Sequence, residues 1–300
     1  MIRWLQPVAC SLLLGGALSA ATARAAPDPT APAPNSPPAA AEAAPEPVDP
    51  PPAATDPIAR RILENFITVE GGAAAVKQIA FIQATGTEYP LTHNGVPFDF
   101  TYSIAPPNSA RLDTVEQQKY NKVIEIHQAI SGNLGWSVQT SDKNPEVADV
   151  SPDKFPELVQ LAAFVYPFLD YDAHGLRYQY VGQEKFRGLP ALVVKAWPVK
   201  GPPEYLYFDT QSFLLLRVRR EITIGTARTW SNSYITKYEK VGGFWFPTVW
   251  EFALSDAVVA RLEVKQIQLS PKMDPTLFAR PVEQEGIVLR QAGAHPSSSP

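Results

Sequence analysis

Asp170-Tyr171-Asp172-Ala173-His174 is the densest set of groups in the chain that could hold a metal or move a proton. An Asp-x-Asp-x-His order places oxygen donors beside an imidazole, a usable ligand set. The plainer reading is a polar loop, because the segment follows Pro167, where a helix would stop. The other histidines stand apart. His93 precedes a Gly turn, His127 falls on the polar side of an alternating run, and His295 lies near the end. None is ordered with Asp and Ser as a catalytic triad requires. Cys10 is the only cysteine, which leaves no disulfide and no Cys-based zinc site. An enzyme built on Asp170, Asp172 and His174 is therefore the weakest reading; we expect no catalytic residues, no metal and no cofactor.

Two further sets carry chemistry of a softer kind. Arg217, Arg219 and Arg220 form a basic knot, and the first two alternate with Leu216 and Val218. That spacing puts Arg217 and Arg219 on the solvent face of a strand, with Glu221 set for cross-strand pairing. A docking patch for an acidic partner is the alternative. The aromatic residues say more. Aromatics in strands usually fill core, yet a curved sheet covered by few helices encloses more apolar surface than those helices can fill. The cavity candidates are Tyr102, Trp136, Phe164, Tyr205, Tyr207, Leu216, Trp230, Phe246 and Trp250. Which face of Tyr205–Phe208 points inward stays open.

The elements that must position these residues are mostly strands. Glu204–Pro247 holds three to four runs rich in aromatic and β-branched residues. They are separated by Asp209-Thr210-Gln211-Ser212, Gly225-Thr226 and Gly242-Gly243, the pattern of an antiparallel meander. Upstream, Phe81–Glu88, Phe98–Ile104, Ala110–Val115 and Tyr120–Ile130 alternate, with turns at Asn94-Gly95 and Pro106-Pro107-Asn108. Downstream, Leu176–Gln183, Ala191–Trp197, Thr248–Leu254 and Val258–Leu269 do the same. Strict alternation means one buried and one wet face, the habit of antiparallel sheets. Two segments break the pattern. Asp56-Pro57 starts a helix with Ile58, Ile62, Phe66 and Val69 on one side, ended by Gly71-Gly72. Pro152–Leu169 is apolar around most of its girth and reads as a buried helix, capped by Ser151 and ended by Pro167. The fold class is mainly β (α+β). It is a single strongly curved antiparallel sheet or unclosed β-barrel of about ten or eleven strands, with two helical segments on its concave side.

Met1–Ala26 has the charged start, apolar core and Ala-x-Ala site of a secretory signal peptide, with cleavage near Ala25. Its apolar run is shorter than the roughly 20 residues a spanning helix needs. Losing Arg3 and Arg24 takes the net charge from −4 to −6, which argues against nucleic acid as a partner. Pro27–Pro57 is Pro- and Ala-rich and lacks apolar periodicity, so it reads as a semi-rigid linker. Residues 58–285 form the folded domain and 286–300 a flexible tail.

Several stretches resemble the LolA/LolB-type lipoprotein-carrier group, an unclosed β-barrel covered by helices. They are ILENFITVEGGAAAVKQIAFIQATGTEY, YFDTQSFLLLRVRR, YEKVGGFWFP and MDPTLFARP, which together cover most of Ile58–Pro281. The resemblance implies a periplasmic protein that binds lipid acyl chains between sheet and helices, in the service of outer membrane lipoprotein sorting. It supplies no nucleophile or metal ligand. The functional expectation is an exported envelope protein that binds a lipid or other hydrophobic ligand, with lipid or lipoprotein carriage as its finer form. An envelope sensor or protein-interaction module without a small ligand is the alternative.

Overall fold

The computed structural model describes residues 50–91, 95–117, 123–140, 147–163, 166–199, 201–224 and 226–281. The expected signal peptide, most of the linker and the C-terminal tail lie outside these residues, as do His93, Asn94, Phe164 and Gly225.

Thirteen strands among the described residues form one antiparallel sheet. Six make a first meander: β1 (Phe81–Pro90), β2 (Phe98–Ala105), β3 (Ser109–Gln117), β4 (Val123–Ser131), β5 (Leu134–Gln139) and β6 (Ala148–Asp149). Seven make a second: β7 (Arg177–Phe186), β8 (Leu189–Trp197), β9 (Glu204–Asp209), β10 (Leu215–Ile224), β11 (Ala227–Val241), β12 (Phe244–Leu254) and β13 (Ala257–Ser270). The strand order runs from β6 down to β1, then from β13 down to β7. The first and last strands therefore pair at the middle, Phe81 with Ser270, and the open edges β6 and β7 are consecutive in the chain. The strand count exceeds the expected ten or eleven partly because β6 is only two residues long, too short to leave a periodic signature.

Turn chemistry fixes the register. Gly242 and Gly243, at φ 59° and 95°, close the β11–β12 hairpin, since a two-residue turn of the hand that fits a twisted ribbon needs positive φ at both positions. Between β9 and β10, the Asp209 carboxylate accepts from the Gln211 and Ser212 amides at 3.0 and 2.7 Å and from the Ser212 hydroxyl at 2.9 Å. Gly86 lies at a bulge in β1, and a Cβ there would stand 2.1 Å from the Glu263 carbonyl oxygen. No other residue type allows β1 and β13 to approach so closely.

The helices sit on the inner face. Helix α1 (Pro57–Val69) is capped by the Asp56 carboxylate, which accepts from Ile58 N–H at 2.7 Å and Ala59 N–H at 3.1 Å. Its buried side carries Ala59, Ile62, Leu63, Phe66 and Ile67. Ile58 is instead 54% exposed, because the apolar stripe is one residue out of phase with the spacing read from sequence. A one-turn helix, α2 (Ala73–Val76), follows. The helix expected over Pro152–Leu169 opens as a separate 3₁₀ turn (Pro152–Lys154), and beyond Phe155 the described residues are helical in α3 (Pro156–Ala163) and α4 (Tyr166–Leu169). Ser151 makes no side-chain cap bond, and Pro167 lies inside the start of α4 rather than beyond a helix end. This broken segment connects β6 to β7, so it spans from one open edge of the sheet to the other.

The β7 edge is also covered. Asp56 N–H donates to the Tyr178 carbonyl at 2.8 Å, and the Thr55 hydroxyl accepts from Tyr178 N–H at 3.3 Å. Such cover removes a template for pairing with another chain. At the other flank a 3₁₀ turn (Pro275–Phe278) folds back over β3 and β4 and buries Phe278.

Candidate functional site

Alternation decides what faces inward. In β2, Phe98, Phe100, Tyr102 and Ile104 are all buried. In β9, Glu204, Leu206 and Phe208 take the inner face, which sends Tyr205 and Tyr207 outward. Between the inner face and the helices lies a cavity of about 120 Å³. Phe66 of α1, Glu70 at its C-cap and Leu161 of α3 form the helical wall. The sheet supplies Ile82 and Ala84 from β1, Tyr102 and Ile104 from β2, and Leu215 from β10. It also supplies Ile235 and Tyr238 from β11, Trp245 to Pro247 and Trp250 from β12, and Leu262, Val264 and Ile267 from β13. Voids of about 150 Å³ with such linings stay dry and take benzene-sized guests. Ligand sites for whole small molecules run from about 300 Å³ upward. This volume fits one short apolar group.

The expected cavity residues divide by face. Tyr102, Phe246 and Trp250 lie on the cavity wall. Trp136, Tyr205, Tyr207, Leu216 and Trp230 lie on the opposite, outer face. Trp136 shares a row with Arg111 and Ala129 across β3, β4 and β5, and its ring N–H donates to the Phe278 carbonyl at 3.0 Å. Leu216 is turned outward by a bulge between Leu215 and Arg217, leaving Leu215 to face the cavity. Phe164 lies outside the described residues.

The outer-face aromatics stack with arginine. Arg217 sits 4.8 Å from the Tyr207 ring centre and hydrogen-bonds the Asn232 side-chain oxygen at 2.6 and 3.0 Å. Arg219 lies 3.9 Å over Trp230, itself edge-on to Tyr205. The Tyr207 hydroxyl donates to Glu184 at 3.1 Å. Glu221 pairs with Arg228 at 3.1 Å. Arg220 points the other way and is buried opposite Glu204, at 3.8 Å. Such planar stacking is what guanidinium groups do on an apolar sheet face.

The Asp170–His174 loop is an ion-pair surface. Asp170 meets Lys77 at 3.4 Å, and Asp172 meets Arg60 at 3.5 Å and Arg177 at 3.4 Å. His174 is exposed. Among the described residues no three His, Cys, Asp or Glu side chains converge as a metal would require. His127 binds Asp113 at 2.6 Å through Nδ1, and Arg111 binds the same carboxylate at 2.9 and 3.0 Å.

Glu70 is the acidic residue among the cavity positions that sequence reasoning missed, which also include Phe66, Leu161 and Leu215. It ends α1, its N–H donates to the Phe66 carbonyl at 2.9 Å, and the Gly71-Gly72 turn follows at φ 120° and 88°. Gly71 is pressed against Phe244, whose ring carbon would be 2.6 Å from a Cβ. That approach holds the end of α1 against the sheet and leaves the Glu70 side chain 6% exposed. Burial pushes its carboxyl up to about 8. The neighbouring Tyr238 phenol is pushed well above its ordinary value by burial, with the Glu70 charge adding to the rise. The Tyr238 hydroxyl is already committed, donating to the Leu215 carbonyl at 2.7 Å. A signal did exist in the sequence. An acidic residue in the last turn opposes the helix dipole, and broken local rules mark functional positions.

No family model matches the sequence, and no curated protein matches it. Solved structures do. An outer membrane lipoprotein-sorting protein domain from Vibrio parahaemolyticus superposes with a TM-score of 0.52 at 11% identity, over 74% of this chain and 96% of that one. A LolA superfamily protein from Nitrosomonas europaea gives 0.49 at 13% identity, over 74% and 97%. A DUF1329 family protein from Desulfovibrio piger gives 0.49 at 10%, over 75% and 98%. The unclosed sheet with its helical cover is thus the fold of the Vibrio domain, and at that identity the likeness is one of fold alone.

Proposed function

We propose that this is an exported bacterial envelope protein that binds a lipid or other hydrophobic ligand between its sheet and its helices, with carriage of lipid or lipoprotein as the finer form. The observation that carries the reading is the apolar cavity bounded by Phe66, Leu161 and the inner strand residues. A folded domain rarely keeps such a void, because interiors pack to crystal-like density. The fold shared with a lipoprotein-sorting domain agrees with this reading. Export follows from the signal-like Met1–Ala26. The Arg-aromatic outer face and the Asp170–His174 ion pairs then serve structure.

The test is extraction of protein purified from the periplasm, followed by lipid mass spectrometry, then titration of the delipidated protein with a fluorescent fatty acid. Stoichiometric apolar material that competes with the probe supports the reading. A clean interior with no saturable binding refutes it and leaves the interaction module without a small ligand.

A further inference from the structure

Glu70 stands out among everything facing the cavity. The rest of the wall is aliphatic or aromatic, apart from Tyr238, whose proton is already donated, and the phenol of Tyr102. Tyr102 and Tyr238 are the other titratable side chains on that wall, and burial holds the Tyr238 phenol well above its ordinary value. Among the described residues no lysine or arginine pairs with Glu70 within salt-bridge distance, whereas Asp170, Asp172, Asp113 and Glu251 all have such partners. A carboxyl buried without a cation remains neutral. A neutral carboxyl carries one O–H donor and an acceptor. An apolar guest that covers this carboxyl with nothing polar at that point would leave the donor unmet, which costs affinity.

We propose that Glu70 is the polar recognition group of the cavity, and that its O–H donates to the carbonyl oxygen of an uncharged acyl ester or amide whose chain occupies the void. The proposal rests on the apolar-ligand reading above and narrows it to one chemical class. Free hydrocarbon lacks the acceptor. A cationic amphiphile would need the ionised carboxylate. Ionisation of Glu70 removes the donor and sets a negative charge against the ester oxygen, so affinity for the ester falls as pH rises through the range in which a buried carboxyl of this kind loses its proton.

The experiment uses delipidated full-length protein and two ligands. N-phenyl-1-naphthylamine reports an apolar site by its fluorescence, and 1-monolauroylglycerol displaces it. At about pH 6 and about pH 9 the reporter is expected to bind alike, while the ester displaces it about tenfold better at the lower pH, the effect of one hydrogen bond. Glu70→Gln keeps a donor that cannot ionise and is expected to hold ester affinity and lose its pH dependence. Glu70→Leu is expected to keep the reporter and lose about tenfold in ester affinity at the lower pH. Reporter binding with pH-independent ester affinity, or a Glu70→Gln protein that titrates like the wild type, overturns the assignment while leaving the cavity reading intact. Displacement by dodecylammonium that strengthens at high pH overturns it in favour of a counter-ion role. Failure of the reporter to bind overturns both.

Discussion

Replacing Glu70 with Gln should change how stability depends on pH, in the delipidated protein and without any ligand. In the unfolded chain the carboxyl titrates near 4.5, and in the folded protein near 8. Below about pH 4.5 the group is protonated in both states and contributes no pH dependence. Between the two values the folded state holds a proton that the unfolded state has lost, so unfolding is favoured as pH rises. Above about pH 8 both are ionised, and the folded state bears the full cost of a buried charge. Each unit of difference is worth about 1.4 kcal/mol, so the span amounts to at most about 5 kcal/mol between pH 4.5 and 8. Urea unfolding of both proteins at pH 5, 6, 7 and 8.5 gives the comparison. The difference, variant minus wild type, should climb by several kcal/mol along this series, since other groups titrate equally in both. Parallel curves would mean that water or a mobile cation reaches Glu70, and the account of the cavity as a dry site would be refuted.

Further perturbations probe the frame. Gly86→Ala drives a methyl into the Glu263 carbonyl and the Phe100 ring, and should cost about 3 kcal/mol in chemical denaturation; a loss under 1 kcal/mol would show that the bulge can relax. Asp209→Ala removes three hydrogen bonds from the β9–β10 turn, with an expected loss of about 1 kcal/mol, as for a helix cap. Phe278→Ala should cost about 3 kcal/mol, together with a red shift in fluorescence from Trp136, whose indole N–H is held by that turn. Ala84→Phe fills the void from β1 and should abolish binding of a fluorescent fatty acid while circular dichroism stays unchanged. Binding that survives this substitution places the ligand elsewhere.

Much of this was legible in the sequence, for reasons that can be named. A period-two pattern with turn residues at Asp209, Gly242 and Gly243 leaves little choice but an antiparallel meander, and the structure has one. The N-cap at Asp56 was equally plain. The face of a strand was not. Tyr205 and Tyr207 match cavity residues in type as well as Tyr102 does, but β9 puts Leu206 and Phe208 inside, and the choice depends on neighbours far away in sequence. The β10 bulge at Leu215/Arg217 reverses parity in mid-strand, which is why Leu216 and Arg217 both point outward. In β13 a second bulge brings Val259 toward the core in place of Val258. The helix Pro152–Leu169 read as continuous because its apolar character is unbroken, whereas its backbone is divided at Phe155, ahead of Pro156.

The pairing of β1 with β13 has a consequence for how the molecule comes into being. The middle of the sheet is made by the first and last strands of the domain, and its rims by strands from mid-chain. A chain that emerges N-terminus first therefore carries β1 unmatched on one side until Ala257–Ser270 arrives. Closing contacts between such distant parts of a sequence is slow, and until then each meander shows a bare rim to its surroundings. Such a protein can be threaded through a narrow passage before it sets, and one that loses its final strand is two half-sheets with no seam.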